Sequence, residues 1–138
     1  MLCLCRRFAW LAVLFASAVL QPAVAGEGFP FGSELMLDAA PMHGSKRVPM
    51  LEIEDDGTAS IDLWCTSLHA QAKVADDSIT IVPGQAANLV PPEPCDPQQE
   101  ASDAALLTAL TGMTTWQRSG DHIDLSGSVT LHYRLMTN

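Results

Sequence analysis

The segment "VPMLEIEDDGTASIDLWC" constrains the fold more than any other stretch of this chain. Leu51 and Ile53 alternate with Glu52 and Glu54. Ala59, Ile61, Leu63 and Cys65 then alternate with Ser60, Asp62 and Trp64. Side chains on a strand point to opposite faces in turn, so each half reads as a strand with one buried face. Asp56-Gly57 between the halves can supply the positive φ angles of a tight hairpin turn. The pattern puts Cys65 on the face of Ile61 and Leu63, with Trp64 opposite.

Other strand-like runs follow the same rule. "SELMLD" alternates Leu35 and Leu37 with polar neighbours, and "APMHGSKR" is a loop by its Pro, Gly and Ser content. "AQAKVADDSITIVPG" reads as a second hairpin turning near Asp76-Asp77, with Ile79 and Ile81 inward. "TTWQRS", "HIDLS" and "VTLHYRL" are three closing strands, separated by Gly120-Asp121 and Ser126-Gly127. In the last, Val129, Leu131, Tyr133 and Leu135 share a face. One helix stands out in "CDPQQEASDAALLTALTGM". Asp96 can cap it, Pro97 suits its first position, and Gln99 completes a capping box. Asp103, Leu106, Leu107 and Leu110 project to one side, and Gly112 ends it. The expected class is β-rich α+β: a small antiparallel sheet of about eight short strands with one packed helix.

The N-terminus adds an address. Arg6 and Arg7 precede the uncharged run "FAWLAVLFASAVL", and Ala23-Val24-Ala25 supplies a small-x-small pattern. That order is a secretory signal peptide, residues 1–25, with cleavage expected after Ala25. The run is short for a spanning helix, which needs roughly 20 residues. Residues 26–138 then form one domain. Without Arg6 and Arg7, 5 basic side chains face 16 acidic ones. A chain that acidic is a poor partner for nucleic acid or an anionic lipid surface.

Cys3 and Cys5 leave with the signal. No cysteine stands at the expected cleavage point, so the lipoprotein signature is missing and no stable membrane anchor is expected. Cys65 and Cys95 remain, in an oxidising compartment. A Cys65–Cys95 bridge is the expectation, and its loop of 29 intervening residues corresponds to roughly 3–4 kcal/mol in the chain-entropy model. The competing reading makes Cys65 a nucleophile with His69, four residues on, as its base. That needs a depressed thiol pKa and a third orienting group, and the sequence shows neither.

Metal chemistry finds little purchase. Glu52, Glu54, Asp56 and Gly57 have the opening spacing of a calcium loop, but its twelfth position is Leu63 rather than a bidentate Glu. His43, His69, His122 and His132 form no close pair of the kind zinc sites use. No metal or other cofactor is expected. No serine elbow or phosphate-binding glycine loop is present. Carboxylate pairs have no fixed spacing, so a small secreted hydrolase using Glu54, Asp55 or Asp62 stands as the alternative function. Trp64 and Trp116 either pack under a loop or helix or mark a contact surface.

The order of these segments resembles the META domain family, which includes the heat-inducible HslJ proteins. The resemblance spans residues 33–135. It is carried by "LEIEDDGTASIDLWC", "DSITIVPG", Cys95 with "ALLTAL", and "GDHIDLSGSVTLHYRL". The family's D-G hairpin leads to a Cys-Asn pair, and here the Asn position is Thr66. The family's Gly and Tyr just beyond fall at Ala70 and Ala72, and "PPEP" replaces its approach to the second Cys. Roles of those positions are not carried over. The resemblance implies a partly open, barrel-like sheet with a packed helix. It also implies a periplasmic or secreted location, an association with stress or antibiotic tolerance, and no established enzymatic activity. The expected function is therefore a soluble, monomeric, non-enzymatic accessory domain. Its partner is an envelope protein or a small apolar ligand.

Overall fold

The structure is a computed structural model that describes residues 27–84 and 94–137. The expected signal peptide and most of the proline-rich loop, residues 85–93, lie outside the described residues.

Eight strands and one helix follow in the order β1 (Leu35–Leu37), β2 (Met50–Ile53), β3 (Thr58–Asp62), β4 (Ser67–Val74), β5 (Ile79–Pro83), α1 (Pro97–Thr111), β6 (Thr115–Ser119), β7 (His122–Ser126) and β8 (Thr130–Leu135). All strand pairs are antiparallel, in the order β5-β4-β3-β2-β1-β8-β7-β6. The two edge strands meet near their ends. Ser78 bridges Thr115, Ile79 N–H donates to Thr114 O at 3.0 Å, and Trp116 N–H donates to Asp77 O at 3.0 Å. The sheet is thus a nearly closed barrel whose seam lies between β5 and β6.

The alternation read in the sequence becomes the inside of this barrel. Leu35, Leu51, Ile53, Ile61, Ile79, Ile81, Ile123, Leu125 and Tyr133 are all almost fully buried there. Helix α1 bridges the chain between the two seam strands and adds Leu106 and Leu110 to the same core. Its start is set by the expected capping box. Gln99 N–H donates to Asp96 Oδ1 at 2.7 Å, and Asp96 N–H donates to Gln99 Oε1 at 3.0 Å.

Three expectations need correction. In the β2–β3 turn only Gly57 has positive φ (88°). A Cβ there would meet Ala72 O at 2.8 Å, so glycine is required both by dihedral and by space. Strand β3 ends at Asp62, so Leu63 and Cys65 are not strand residues. They belong to a turn, residues 63–66, in which Leu63 N–H donates to Thr66 O at 2.8 Å. Val129 does not share the buried face of β8. It sits in the preceding turn, 50% exposed, where Gly127 N–H donates to Val129 O.

Candidate functional site

The turn at residues 63–66 is held from three sides. Cys65 is bonded to Cys95, immediately before the helix cap, so the Cys65 sulfur is not a free thiol beside a base. His69 lies on the exposed side of β4, across from Ser60. Asp103, on the inward face of α1 and 6% exposed, gathers the turn's donors. It accepts from Cys65 N–H at 3.1 Å, Thr66 N–H at 2.9 Å and the Thr66 hydroxyl at 2.8 Å. Arg47, from the loop before β2, gathers the acceptors. Its Nε donates to Leu63 O at 2.9 Å, Nη1 to Cys65 O at 3.2 Å and Nη2 to Thr66 O at 3.1 Å. Nη2 also donates to Ser67 Oγ at 2.7 Å, and Ser67 in turn bonds to Asp62. A buried carboxylate thus satisfies the turn's donors and a guanidinium its acceptors, and the two meet on the Cys65–Thr66 peptide, whose C=O bonds to Arg47 and whose N–H bonds to Asp103, as partly buried backbone requires. Thr66 stands where the sequence departs from the Cys-Asn pair, and it supplies two of Asp103's three donors. The arrangement is a rigid joint between sheet and helix.

A second locus lies at the end of the barrel. Residues 27–32 cross it as a strap pinned at both ends. Glu27 Oε2 accepts from Gly120 N–H at 2.9 Å, and Gly28 O accepts from Arg118 Nη1 at 3.0 Å. At the far end Gly32 N–H donates to Ile53 O at 2.9 Å. The strap inserts Phe29 into the core, edge-on to Trp116 with ring centroids 5.2 Å apart, and sets Phe31 against Phe29 in a tilted pair with centroids 5.0 Å apart. Trp116 is itself bolted across the seam, its Nε1–H donating to Ala75 O at 2.8 Å. Beside the strap is a groove of about 540 Å³ lined by Glu27, Gly28, Phe29, Phe31, Val74, Ala75, Asp76 and Trp116.

The residues singled out from sequence fall as follows. Trp116 is 7% exposed, and what it offers outward lines the groove. Trp64 is half-buried and packed against the core. Glu54 and Asp55 are exposed at the β2–β3 turn, while Asp62 lies at the other end of β3, paired with Arg47 at 3.5 Å. Glu54 lines one depression and Asp62 another. Glu52 and Glu54 do border a shallow depression of about 410 Å³ on the outer face of β2, β3 and β4, with His69 across it. Partial desolvation, and then Glu54 and Glu34, hold Glu52 above the ordinary carboxylate value. His122 lies beside Asp121, and His132 Nδ1 is 2.7 Å from Asp124 Oδ1. Among the described residues, no three His, Cys, Asp or Glu side chains converge as metal ligands would.

With this geometry in place, the comparisons with known proteins decide the family. The sequence model of the META domain matches residues 33–136. The chain belongs to the META domain family. Among solved structures, a protein determined by NMR is similar in fold, with a TM-score of 0.53 at 16% identity. That similarity covers 75% of this chain and 88% of the other. No curated protein matches the sequence. The clamped turn and the joint to α1 lie inside the matched META domain. The strap, residues 27–32, precedes it, so this META domain carries an aromatic wall outside the family's matched span. No helix among the described residues is long and apolar enough to cross a membrane.

Sequence reasoning missed Asp103, Arg47 and the strap. An acid on a helix's apolar stripe was the available signal for Asp103. Two phenylalanines around Pro30, between Gly28 and Gly32, were the signal for the strap.

Proposed function

We propose that this META domain is an exported, non-catalytic binding domain that takes a small molecule with an apolar body into the groove beside the strap. The observation that carries the reading is the groove itself. Its volume falls in the range of small-molecule sites, about 300–1,000 Å³, and its wall is built from Phe29, Phe31, Val74 and Trp116. Its two carboxylates, Glu27 and Asp76, are exposed at the rim rather than sunk beside a reacting atom. Export is supported by Arg6-Arg7, the apolar run, Ala23-Val24-Ala25 and the Cys65–Cys95 bridge. A part in envelope stress rests on the likeness to the heat-inducible members of the family.

The test is fluorescence of Trp116 in a Trp64→Phe background, with protein expressed from the full chain and recovered in its processed form. Apolar probes should shift Trp116 emission saturably, and Phe31→Ala should weaken that response. Probes that leave Trp116 unmoved, or that act equally on Phe31→Ala, would refute the groove. Fractionation should place the protein outside the cytoplasm, and a wholly cytoplasmic chain with Cys65 and Cys95 reduced would refute export.

A further inference from the structure

We infer that the molecule held in the groove is a small organic cation, an ammonium head on an apolar body. The inference rests on the reading of the groove as a ligand site and adds the charge of its occupant.

The groove combines two kinds of wall. One is aromatic: Phe31 is 41% exposed and leans on Phe29, which packs on Trp116. An aromatic face attracts a cation through its quadrupole, most strongly where water is partly excluded. The other is anionic. Asp76 lines the groove from the β4–β5 turn, with Asp77 next to it and Glu27 across it. Asp76 makes no ion pair or side-chain hydrogen bond among the described residues. The cation beside Glu27 is Arg118, and its guanidinium is already committed. It lies 3.7 Å from Glu27 and donates to Gly28 O and Gly120 O. Among the described residues Glu27 is therefore ion-paired, while Asp76 is not.

The rest of the chain points the same way. Its formal charge is −9, so an anionic ligand meets repulsion on approach and a cation is drawn in. A neutral apolar ligand would use the rings and leave Asp76 without a partner. A small cation uses both, with its head near Asp76 and Phe31 and its body along Val74, Phe29 and Trp116.

Three probes with a common phenylpropyl body separate the cases: the trimethylammonium cation, the neutral alcohol and the carboxylate. Each is titrated against the Trp64→Phe protein by Trp116 emission and by amide chemical shifts, at low and high salt. The cation is expected to bind about tenfold tighter than the alcohol, a difference of about 1.4 kcal/mol, with the carboxylate weakest. Phe31→Ala should weaken cation binding about three- to tenfold. Asp76→Asn should weaken it about threefold and flatten its salt dependence, while leaving the alcohol unaffected. Both positions are exposed, so the fold is expected to survive, and matching amide spectra verify this. Equal binding of alcohol and cation, or an Asp76→Asn variant that binds the cation normally, overturns the cation inference and leaves the groove standing. Failure of all three probes to perturb groove residues overturns the groove as well.

Discussion

Replacing Asp103 with alanine tests the joint between sheet and helix. In the folded chain this carboxylate accepts from Cys65 N–H, Thr66 N–H and the Thr66 hydroxyl, at 2.8–3.1 Å, while only 6% exposed. A hydrogen bond to a charged acceptor contributes about 1.5–3 kcal/mol net. Three bonds to one group do not add, and the Thr66 hydroxyl can turn to water. Alanine also has a helix propensity better than aspartate by up to about 0.7 kcal/mol. The expected net cost of Asp103→Ala is about 3 kcal/mol. For a domain of this size that lowers Tm by about 10–15 °C, and it lowers the urea midpoint with the m-value unchanged. Asp103→Asn keeps one acceptor oxygen but turns an NH2 toward backbone donors, so a smaller loss, about half, is expected. Both variants are measured with the Cys65–Cys95 bridge intact. A cost below about 1 kcal/mol for Asp103→Ala would show that the bridge and Arg47 hold the turn without it.

Other outcomes follow from the same structure. Cys65→Ala with Cys95→Ala should lower stability by about 3–4 kcal/mol, from the separation of 30 residues that the bridge closes, and reductant should reproduce the loss in the parent protein. Unchanged urea midpoints under reductant would contradict it. Tyr133, the chain's single tyrosine, is buried, and burial pushes its phenol well above the ordinary value of about 10. Its folded pKa is raised, so its contribution is complete below pH 10 and is lost as pH rises beyond that. Absorbance of the phenolate should therefore appear only together with unfolding, and a reversible titration near pH 10 in folded protein would refute this. A Cβ at Gly127 would lie 2.2 Å from Gly112 O, where the β7–β8 turn meets the end of α1. Gly127→Ala should cost about 1–3 kcal/mol by forcing these backbones apart, and wild-type Tm in that variant would refute the close approach.

How much of this was legible in the sequence depends on how local the cause is. The β2–β3 hairpin, the Asp96–Gln99 capping box and the stop at Gly112 are set by neighbours within a few residues, and the sequence predicts each. The pairing of Cys65 with Cys95 was also legible, because only these two cysteines lie beyond the expected signal peptide, which leaves one partner each. The end of β3 was not. Alternation runs on through Leu63 and Cys65, but Arg47 and Asp103, 18 and 38 residues from Cys65, draw that segment into a turn. No window on the local sequence contains that information. The groove was hidden for the same reason. Phe29 acquires meaning only when the chain brings it against Trp116, and Phe31 only through Phe29.

The strand order has a kinetic side. Strand β1 sits between β2 and β8, and Leu35 pairs with both Leu51 and Leu135. The barrel's central pairing therefore joins the earliest strand to the last one made. The hairpins β2–β3 and β4–β5 can form while the chain is still growing, but they cannot be sealed into a barrel until β8 arrives. Closing so distant a contact is slow relative to local pairing. Until β8 is made, β1 presents an edge of unpaired backbone N–H and C=O groups, and that edge is where the growing chain is open to wrong strand partners.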